Sequence, residues 1–174
     1  MCSSDLWATV TGATDLVVAS YLKSENHDMA KIPYRDPVQA LNDAAEGRLH
    51  LYWSALAIVR GAIEAGRIKP LAFPSSQRAK TLPNVPTVTE AGFPGLAFDG
   101  LVGIYGARDM PDDVRERIAA DVKTVLSDPA MVNRLEATGQ VVVPGSAKEF
   151  AADIAKQQAG VANRAKVLGI AEAR

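Results

Sequence analysis

The sequence predicts an α/β fold with a parallel sheet. Short apolar segments alternate with segments of helical periodicity over the first 73 residues. This alternation is typical of βαβ units, in which each helix connects two parallel strands. Hydrophobic residues make up 48% of the 174 residues, which is enough to build a core.

The bounds of the predicted strands and helices follow from this alternation and from the residues that begin and end helices. Asp36 and Pro37 provide a capping side chain and a proline at the first helical position, and Gly47 ends that helix. Right-handed crossovers then place successive helices on defined faces of the sheet. The pattern predicts strands at residues 6–10, 29–33, 49–53 and 68–73, and helices at residues 13–23, 36–46 and 55–65.

A proline-rich connector follows at residues 82–95. Pro83, Pro86 and Pro94 remove three backbone donors and favour extended geometry in the residues before them. Thr87 and Glu90 have the spacing of a capping box around one helical turn. The segment therefore predicts an ordered connector at the join between two compact bodies.

The pattern changes after the connector. Residues 97–105 are predicted to form a strand, in which Gly100 and Gly103 indicate a bend or a close backbone approach. Ser146 and Glu149 form a second capping-box pattern, at the start of the last helix. Helices are predicted at residues 111–126, 128–139 and 146–168, with a short strand at residues 140–143.

Composition excludes several classes of function. The net charge of −1 offers no basic surface for nucleic acid, and no apolar segment is long enough to span a bilayer. His27, His50 and Cys2 lack the spacing of metal ligands, so we predict neither a metal nor a cofactor. Ser54 follows a strand and precedes a helix, but the glycines of a nucleophile elbow are absent.

One turn has the character of an anion site. Residues 10–15 lie between the first strand and the first helix, where unpaired backbone N–H groups point outward. We predict that Thr11, Gly12, Ala13 and Thr14 supply donors to a carboxylate or other small anion. Asp15 either caps the helix or competes with such a ligand. Ser54, in a second strand-to-helix turn, is predicted to lie on the same carboxyl edge of the sheet.

Several spaced motifs carry a family resemblance. They lie at residues 32–37, 40–43, 47–49 and 63–73, and most strongly at residues 78–95. Together they resemble the Bug solute receptors, which are the substrate-binding components of tripartite tricarboxylate transporters. The resemblance extends over nearly the whole chain from residue 6.

The resemblance implies a periplasmic-binding-protein-like fold, with a small organic acid held between two lobes. Residues 6–97 would form the second lobe, and residues 98–174 would return to a first lobe whose N-terminal half, like the signal peptide, is missing. The family's second-lobe turn matches residues 10–15, although Asp15 stands where the family often has His, and His50 where it commonly has Asp. The implied protein is periplasmic, is not an enzyme and delivers its ligand to membrane transporter subunits.

Two other interpretations stay open. The chain could be a truncated fragment that binds nothing and self-associates, or needs a partner chain, through exposed apolar faces of residues 111–126 and 146–168. It could also be an enzyme on an α/β scaffold, since fold does not fix function. The sequence lacks a nucleophilic triad, a metal cluster and a phosphate loop, which argues against the enzyme.

Overall fold

A computed structural model describes residues 5–10 and 12–170, and its central element is a sheet of three parallel strands. The strands are β1 (Leu6–Thr9), β2 (Ala30–Lys31) and β3 (Leu51–Trp53), in the order β2-β1-β3. Trp7 pairs with Lys31 on one side and with Leu51 on the other. The parallel α/β class predicted from the sequence is therefore confirmed.

Six α-helices are described. They are α1 (Gly12–Ser24), α2 (Pro37–Ala45), α3 (Leu56–Glu64), α4 (Asp112–Val125), α5 (Pro129–Glu136) and α6 (Ala147–Leu168). Two predicted N-caps of these helices are confirmed: Asp36 accepts from the Val38 amide, and Ser146 forms a capping box with Glu149. Asp128 also caps α5, where it accepts from the Ala130 amide.

The sheet is covered on both faces. Trp7 and Val18 belong to a buried cluster between the sheet and α1. Ala8, whose side chain points the other way because strand residues alternate, packs with Ala40 of α2 on the opposite face. Residues in the first half of the chain thus form a three-layer unit with α1 on one face and α2 on the other.

The proline connector is ordered as predicted. Glu90 accepts a hydrogen bond from the Thr87 amide at 2.7 Å, and the Thr87 hydroxyl accepts one from the Glu90 amide at 3.1 Å, which confirms the capping box. The Ala91 amide donates to the Thr87 carbonyl and closes the single predicted turn. A short 3₁₀ helix, Pro94–Leu96, ends the connector.

Three predicted strands are wrong. Residues 68–73 form only an isolated bridge between Phe73 and Thr87. Pro70 interrupts the segment and Pro74 follows it, and its backbone pairs with the connector instead of the sheet. Residues 140–143 belong to no strand, and Val143 is 77% exposed. Residues 97–105 also lack a strand partner. Two of their carbonyl groups, those of Ala97 and Asp99, accept hydrogen bonds from α6 side chains instead.

The three C-terminal helices are less buried than the first three. Helices α4, α5 and α6 contain no fully buried residue among those described, whereas α1 alone buries five. Helix α6 packs along α1. The division of the chain into lobes at residues 97 and 98 stays a prediction. Within the described residues, no helix has the length and apolar character that a bilayer span requires.

Candidate functional site

The candidate site lies at the carboxyl edge of the sheet, between β1 and β3. After β1 the chain turns toward the face covered by α1, and after β3 it enters α3, which contacts α2 on the other side of the sheet. Neighbouring parallel strands whose helices leave in opposite directions form a crevice, and ligands of open α/β sheets bind there.

The first wall of this crevice is the N-terminus of α1. Gly12 is exposed, Ala13 is half-buried and Thr14 is 7% exposed. The first amides of a helix have no carbonyl partner within the helix and carry the positive end of its dipole. The predicted donor Thr11 lies outside the described residues. The structure thus places Gly12, Ala13 and Thr14 at the predicted edge.

The carboxylate of Asp15 is paired with two neighbouring side chains. Its carboxylate lies 2.5 Å from the ammonium of Lys31 and also accepts a hydrogen bond from the Thr9 hydroxyl. Lys31 ends β2 and lies 5.9 Å from the centre of the Trp7 ring. The two side chains are partly exposed, at 27% for Asp15 and 42% for Lys31. The negative charge at the mouth of the turn is therefore balanced by a neighbouring cation.

Lys31 is the site residue that the sequence analysis missed. It lies sixteen residues after Asp15, in a strand of only two residues, so no local motif marks it. The available signal was positional: Lys31 ends a strand next to β1, and the carboxyl ends of parallel strands share one edge.

Ser54 forms the second wall. It lies between β3 and α3, and its hydroxyl oxygen is buried without a hydrogen-bond partner in the described part of the chain. Buried polar atoms are nearly always paired, and an unpaired one costs about 1–3 kcal/mol. The Ser54 hydroxyl therefore has hydrogen-bonding capacity that the described chain does not use.

His50 has a structural role. Its Nδ1 atom accepts a hydrogen bond of 3.0 Å from the Leu6 amide at the start of β1. His27 is exposed and lies 6.4 Å, ring to ring, from Tyr21. Across residues 5–10 and 12–170, no three His, Cys, Asp or Glu side chains group closely enough to hold a metal ion.

The carboxyl groups with shifted pKa values lie in structural contacts outside the predicted turn. Hydrogen bonds from Arg78, followed by one from the Thr87 backbone, lower the pKa of Glu90 to about 2. A hydrogen bond from Arg48, and a second from Tyr34, lower the pKa of Asp43. These pairs hold turns of the chain together and are not candidates for acid–base chemistry at the crevice.

Comparison with known proteins agrees with this architecture. Residues 8–168 match the model of the tripartite tricarboxylate transporter family receptor. A UPF0065 protein in the tcbD-tcbE intergenic region of Pseudomonas sp. (strain P51) is 31% identical over 134 residues, which are 76% of this chain and 40% of that protein. BugT of Bordetella pertussis is 25% identical over 133 residues, 75% of this chain and 41% of that protein.

Solved structures share the fold of this chain. The R. palustris protein Rpa4515, solved with adipate, superposes with a TM-score of 0.82 at 25% identity, covering 98% of this chain and 58% of that one. The periplasmic binding protein BugD superposes with a TM-score of 0.68 at 23% identity, covering 96% of this chain and 58% of that one.

The three-layer unit with its crevice is a periplasmic-binding-protein fold. The chain belongs to the tripartite tricarboxylate transporter receptor family. It spans about 40% of the length of the first sequence relatives it matches and just over half of the matched structures.

Proposed function

We propose that this protein is a non-enzymatic, periplasmic receptor for a small organic acid, which it delivers to a tripartite tricarboxylate-type transporter. The observation that carries the proposal is the buried, unpaired Ser54 hydroxyl at the strand edge that also holds the N-terminus of α1. The match to Rpa4515, solved with adipate, supports a dicarboxylate as the ligand.

The proposed mechanism is capture of a carboxylate by main-chain and hydroxyl donors. The amides of Gly12, Ala13 and Thr14, with Thr11 as the sequence predicts, bind one carboxylate at the positive end of the α1 dipole. Ser54 donates a further hydrogen bond. The Lys31–Asp15 pair keeps the carboxylate of Asp15 from repelling the ligand. In this account, closure of the first lobe over the ligand completes capture.

Titration calorimetry with adipate and malate tests the proposal. We expect binding of at least one diacid, and no binding of adipamide, which has the same chain without the charges. Ser54→Ala should weaken binding about tenfold, because a hydrogen bond to a charged group is lost. Ser24→Ala is the matched control, since its hydroxyl is exposed and donates to the Tyr21 carbonyl of its own helix. Equal binding of adipate and adipamide would contradict the proposal.

A second candidate function, self-association, is favoured by the distribution of exposed apolar side chains. Most of the large ones lie in the C-terminal part of the chain, outside the three-layer unit: Val102, Ile104, Tyr105, Val125, Val141, Val143, Val167 and Ile170. Val102 and Ile104 are 77% and 70% exposed. Contiguous exposed apolar surface promotes association between chains.

Sedimentation velocity over a concentration series tests whether the chain self-associates. Self-association predicts a sedimentation coefficient that rises with concentration, and a double Val102→Lys, Ile104→Lys variant that stays monomeric. Val38→Lys on α2 is the control, because Val38 is also exposed, at 55%, but belongs to the three-layer unit. A wild-type chain that is monomeric at every concentration would rule out self-association.

A further inference from the structure

A groove of about 200 Å³ lies between the second half of α1 and the last turns of α6. Ser20 is about 12 Å along the axis of α1 from Gly12, so the groove is separate from the crevice at the carboxyl edge of the sheet. Its lining includes Ser20, Tyr21 and Ser24 of α1 and Asn163, Arg164 and Val167 of α6.

Arg164 brings a partly buried positive charge to this groove. Burial lowers the pKa of its guanidinium, because the charged form loses contact with water. In the part of the chain that the structure describes, no carboxylate lies within ion-pair distance of this side chain. Buried charges are normally paired, so the described fold leaves this cation without the anionic partner that its burial favours.

The guanidinium also has hydrogen-bonding capacity to spare. One terminal nitrogen, Nη1, donates to the Gly95 carbonyl at 2.8 Å and lies 3.5 Å from the Ser20 hydroxyl oxygen, and the other, Nη2, donates to the Ala97 carbonyl at 3.0 Å. None of the hydrogen bonds found among the described residues uses Nε. Nε and Nη2 form one edge of the planar fork, which matches the two oxygens of a carboxylate.

Neutral donors lie beside this cation. Asn163 precedes Arg164 in α6 and is exposed, and its side-chain amide carries two N–H donors. The Ser24 hydroxyl donates to the Tyr21 carbonyl at 2.9 Å, a carbonyl that also accepts from the Glu25 amide. The Ser24 hydroxyl can therefore turn to a ligand without leaving that carbonyl unpaired.

The charges around the groove favour an anion. The groove lies near the last turns of α1 and α6, where the helix dipoles are negative. Each of these turns carries a lysine, Lys23 in α1 and Lys166 in α6, which offsets the negative dipole end. The guanidinium of Arg164 then remains as the charge that lines the groove.

The rest of the lining suits an apolar group. The Tyr21 ring packs edge-on against the Phe93 ring at 6.4 Å, and Val167 is 48% exposed. Because an apolar cavity of about 150 Å³ holds a benzene molecule, the volume of this groove is sufficient for one ring and a carboxylate.

We propose that this groove binds a small organic carboxylate whose apolar part has about the size of a benzene ring. The free edge of the Arg164 guanidinium binds the carboxylate, and Asn163 and Ser24 donate further hydrogen bonds to it. The apolar part lies against the Tyr21 ring and Val167. This site is additional to the crevice, and it does not depend on the proposed function.

Titration of the intact ¹⁵N-labelled chain with benzoate tests the site. Benzoate should shift the amide resonances of residues 20–24 and 163–167 with one common dissociation constant. Benzamide has the same ring without the charge and should bind at least tenfold more weakly, because hydrogen bonds between ions are the stronger ones. Ser54→Ala should leave the benzoate constant unchanged, since Ser54 lies in the crevice between β3 and α3.

A carboxylate introduced into the groove gives the sharpest variant. Val167→Glu should weaken benzoate binding at least tenfold, because residues three apart on a helix are neighbours and the new carboxylate pairs with Arg164. Val167→Gln, which has the same length without the charge, is the matched control and should bind benzoate as wild type does. Arg164→Lys keeps a cation but lacks the planar fork, and should weaken binding at least threefold.

The outcomes separate this site from the crevice. Equal binding of benzoate and benzamide, or equal binding of benzoate by Val167→Glu and Val167→Gln, would overturn the groove site. Benzoate shifts confined to the β1–α1 turn and Ser54 would also overturn it. Binding at the groove in a chain that binds neither adipate nor malate would uphold the groove site and reject the proposed function.

Discussion

At the scale of single residues, Ser54 links the stability of the fold to the proposed function. Its buried hydroxyl has no partner in the described chain, so the free protein bears a desolvation cost that a ligand would relieve. Residues that are unfavourable in the free fold are common at binding sites, where stability is exchanged for function.

Removal of this hydroxyl should therefore stabilise the free protein. We expect Ser54→Ala to raise the free energy of unfolding by about 1 kcal/mol, because the unpaired polar atom disappears and little volume is lost. Ser24→Ala should be neutral or slightly destabilising, since its hydroxyl is paired and exposed. Urea denaturation without ligand measures both. A Ser54→Ala variant that is clearly less stable than wild type would show that the hydroxyl has a structural partner.

Glu90 gives a prediction on acid stability. Its pKa is about 2 in the folded chain and 4.5 in the reference state, mainly because Arg78 donates hydrogen bonds to it. A folded-state pKa below the unfolded value means that the stabilisation is complete above pH 4.5 and is lost as the pH falls toward 2.

We expect Glu90→Gln to lower the urea midpoint at pH 7, and its difference from wild type to shrink steadily between pH 4.5 and 2. Glu64→Gln is the comparison for loss of one surface carboxylate, since Glu64 forms an exposed ion pair with Arg60 on α3. A difference between Glu90→Gln and wild type that is the same at pH 7 and pH 3 would contradict the assignment.

The sequence predicted the two strand-to-helix turns that contain the candidate residues. Gly12, Ala13, Thr14 and Ser54 lie at strand-to-helix turns, which follow from periodicity and the parallel class. Whether they bind a ligand stays a prediction. No local motif marks Lys31, because its approach to Asp15 depends on the pairing of β1 with β2.

At the scale of elements, local signals predicted the helices and caps, whereas three strands depended on partners that the sequence does not show. Residues 97–105 have the apolar character of a strand, but their carbonyls bind Gln157 and Arg164, which lie more than fifty residues away. The close approach indicated by Gly103 is confirmed, because a Cβ there would meet the ring of Phe150. Gly100 has open space around it.

Gly95, the last residue of the proline connector, tests how closely the connector must pack against α1. A Cβ at this position would be 2.8 Å from Cδ2 of Tyr21 in α1. We expect Gly95→Ala to destabilise the protein by about 1–3 kcal/mol, because the ring or the backbone must move. Gly100→Ala is the control, as no heavy atom lies within 4 Å of its added Cβ.

A double-mutant cycle separates this contact from other effects of the substitution. In a Tyr21→Ala background the penalty of Gly95→Ala should fall to that of Gly100→Ala, measured by thermal denaturation. A penalty that persists without the Tyr21 ring would show that the backbone of Gly95, and not close packing, sets the cost.

At the scale of the whole molecule, the chain combines a well-buried three-layer unit with a C-terminal part whose helices bury no residue completely. The family receptors it matches are longer, and this chain spans 58% of the adipate-bound structure. The three-layer unit contains both the buried clusters and the candidate site at the carboxyl edge of the sheet. Ligand binding at this edge can therefore be tested on this chain directly.

Nuclear magnetic resonance is the most direct test of the central claim that amides of the β1–α1 turn bind a carboxylate. Adipate added to the ¹⁵N-labelled chain should shift the amide resonances of Gly12, Ala13 and Thr14 with one common dissociation constant, and that of Ser54 with them, while adipamide should shift none. If adipate moves other amides and leaves these four in place, or if both compounds act alike, carboxylate binding at this edge is wrong.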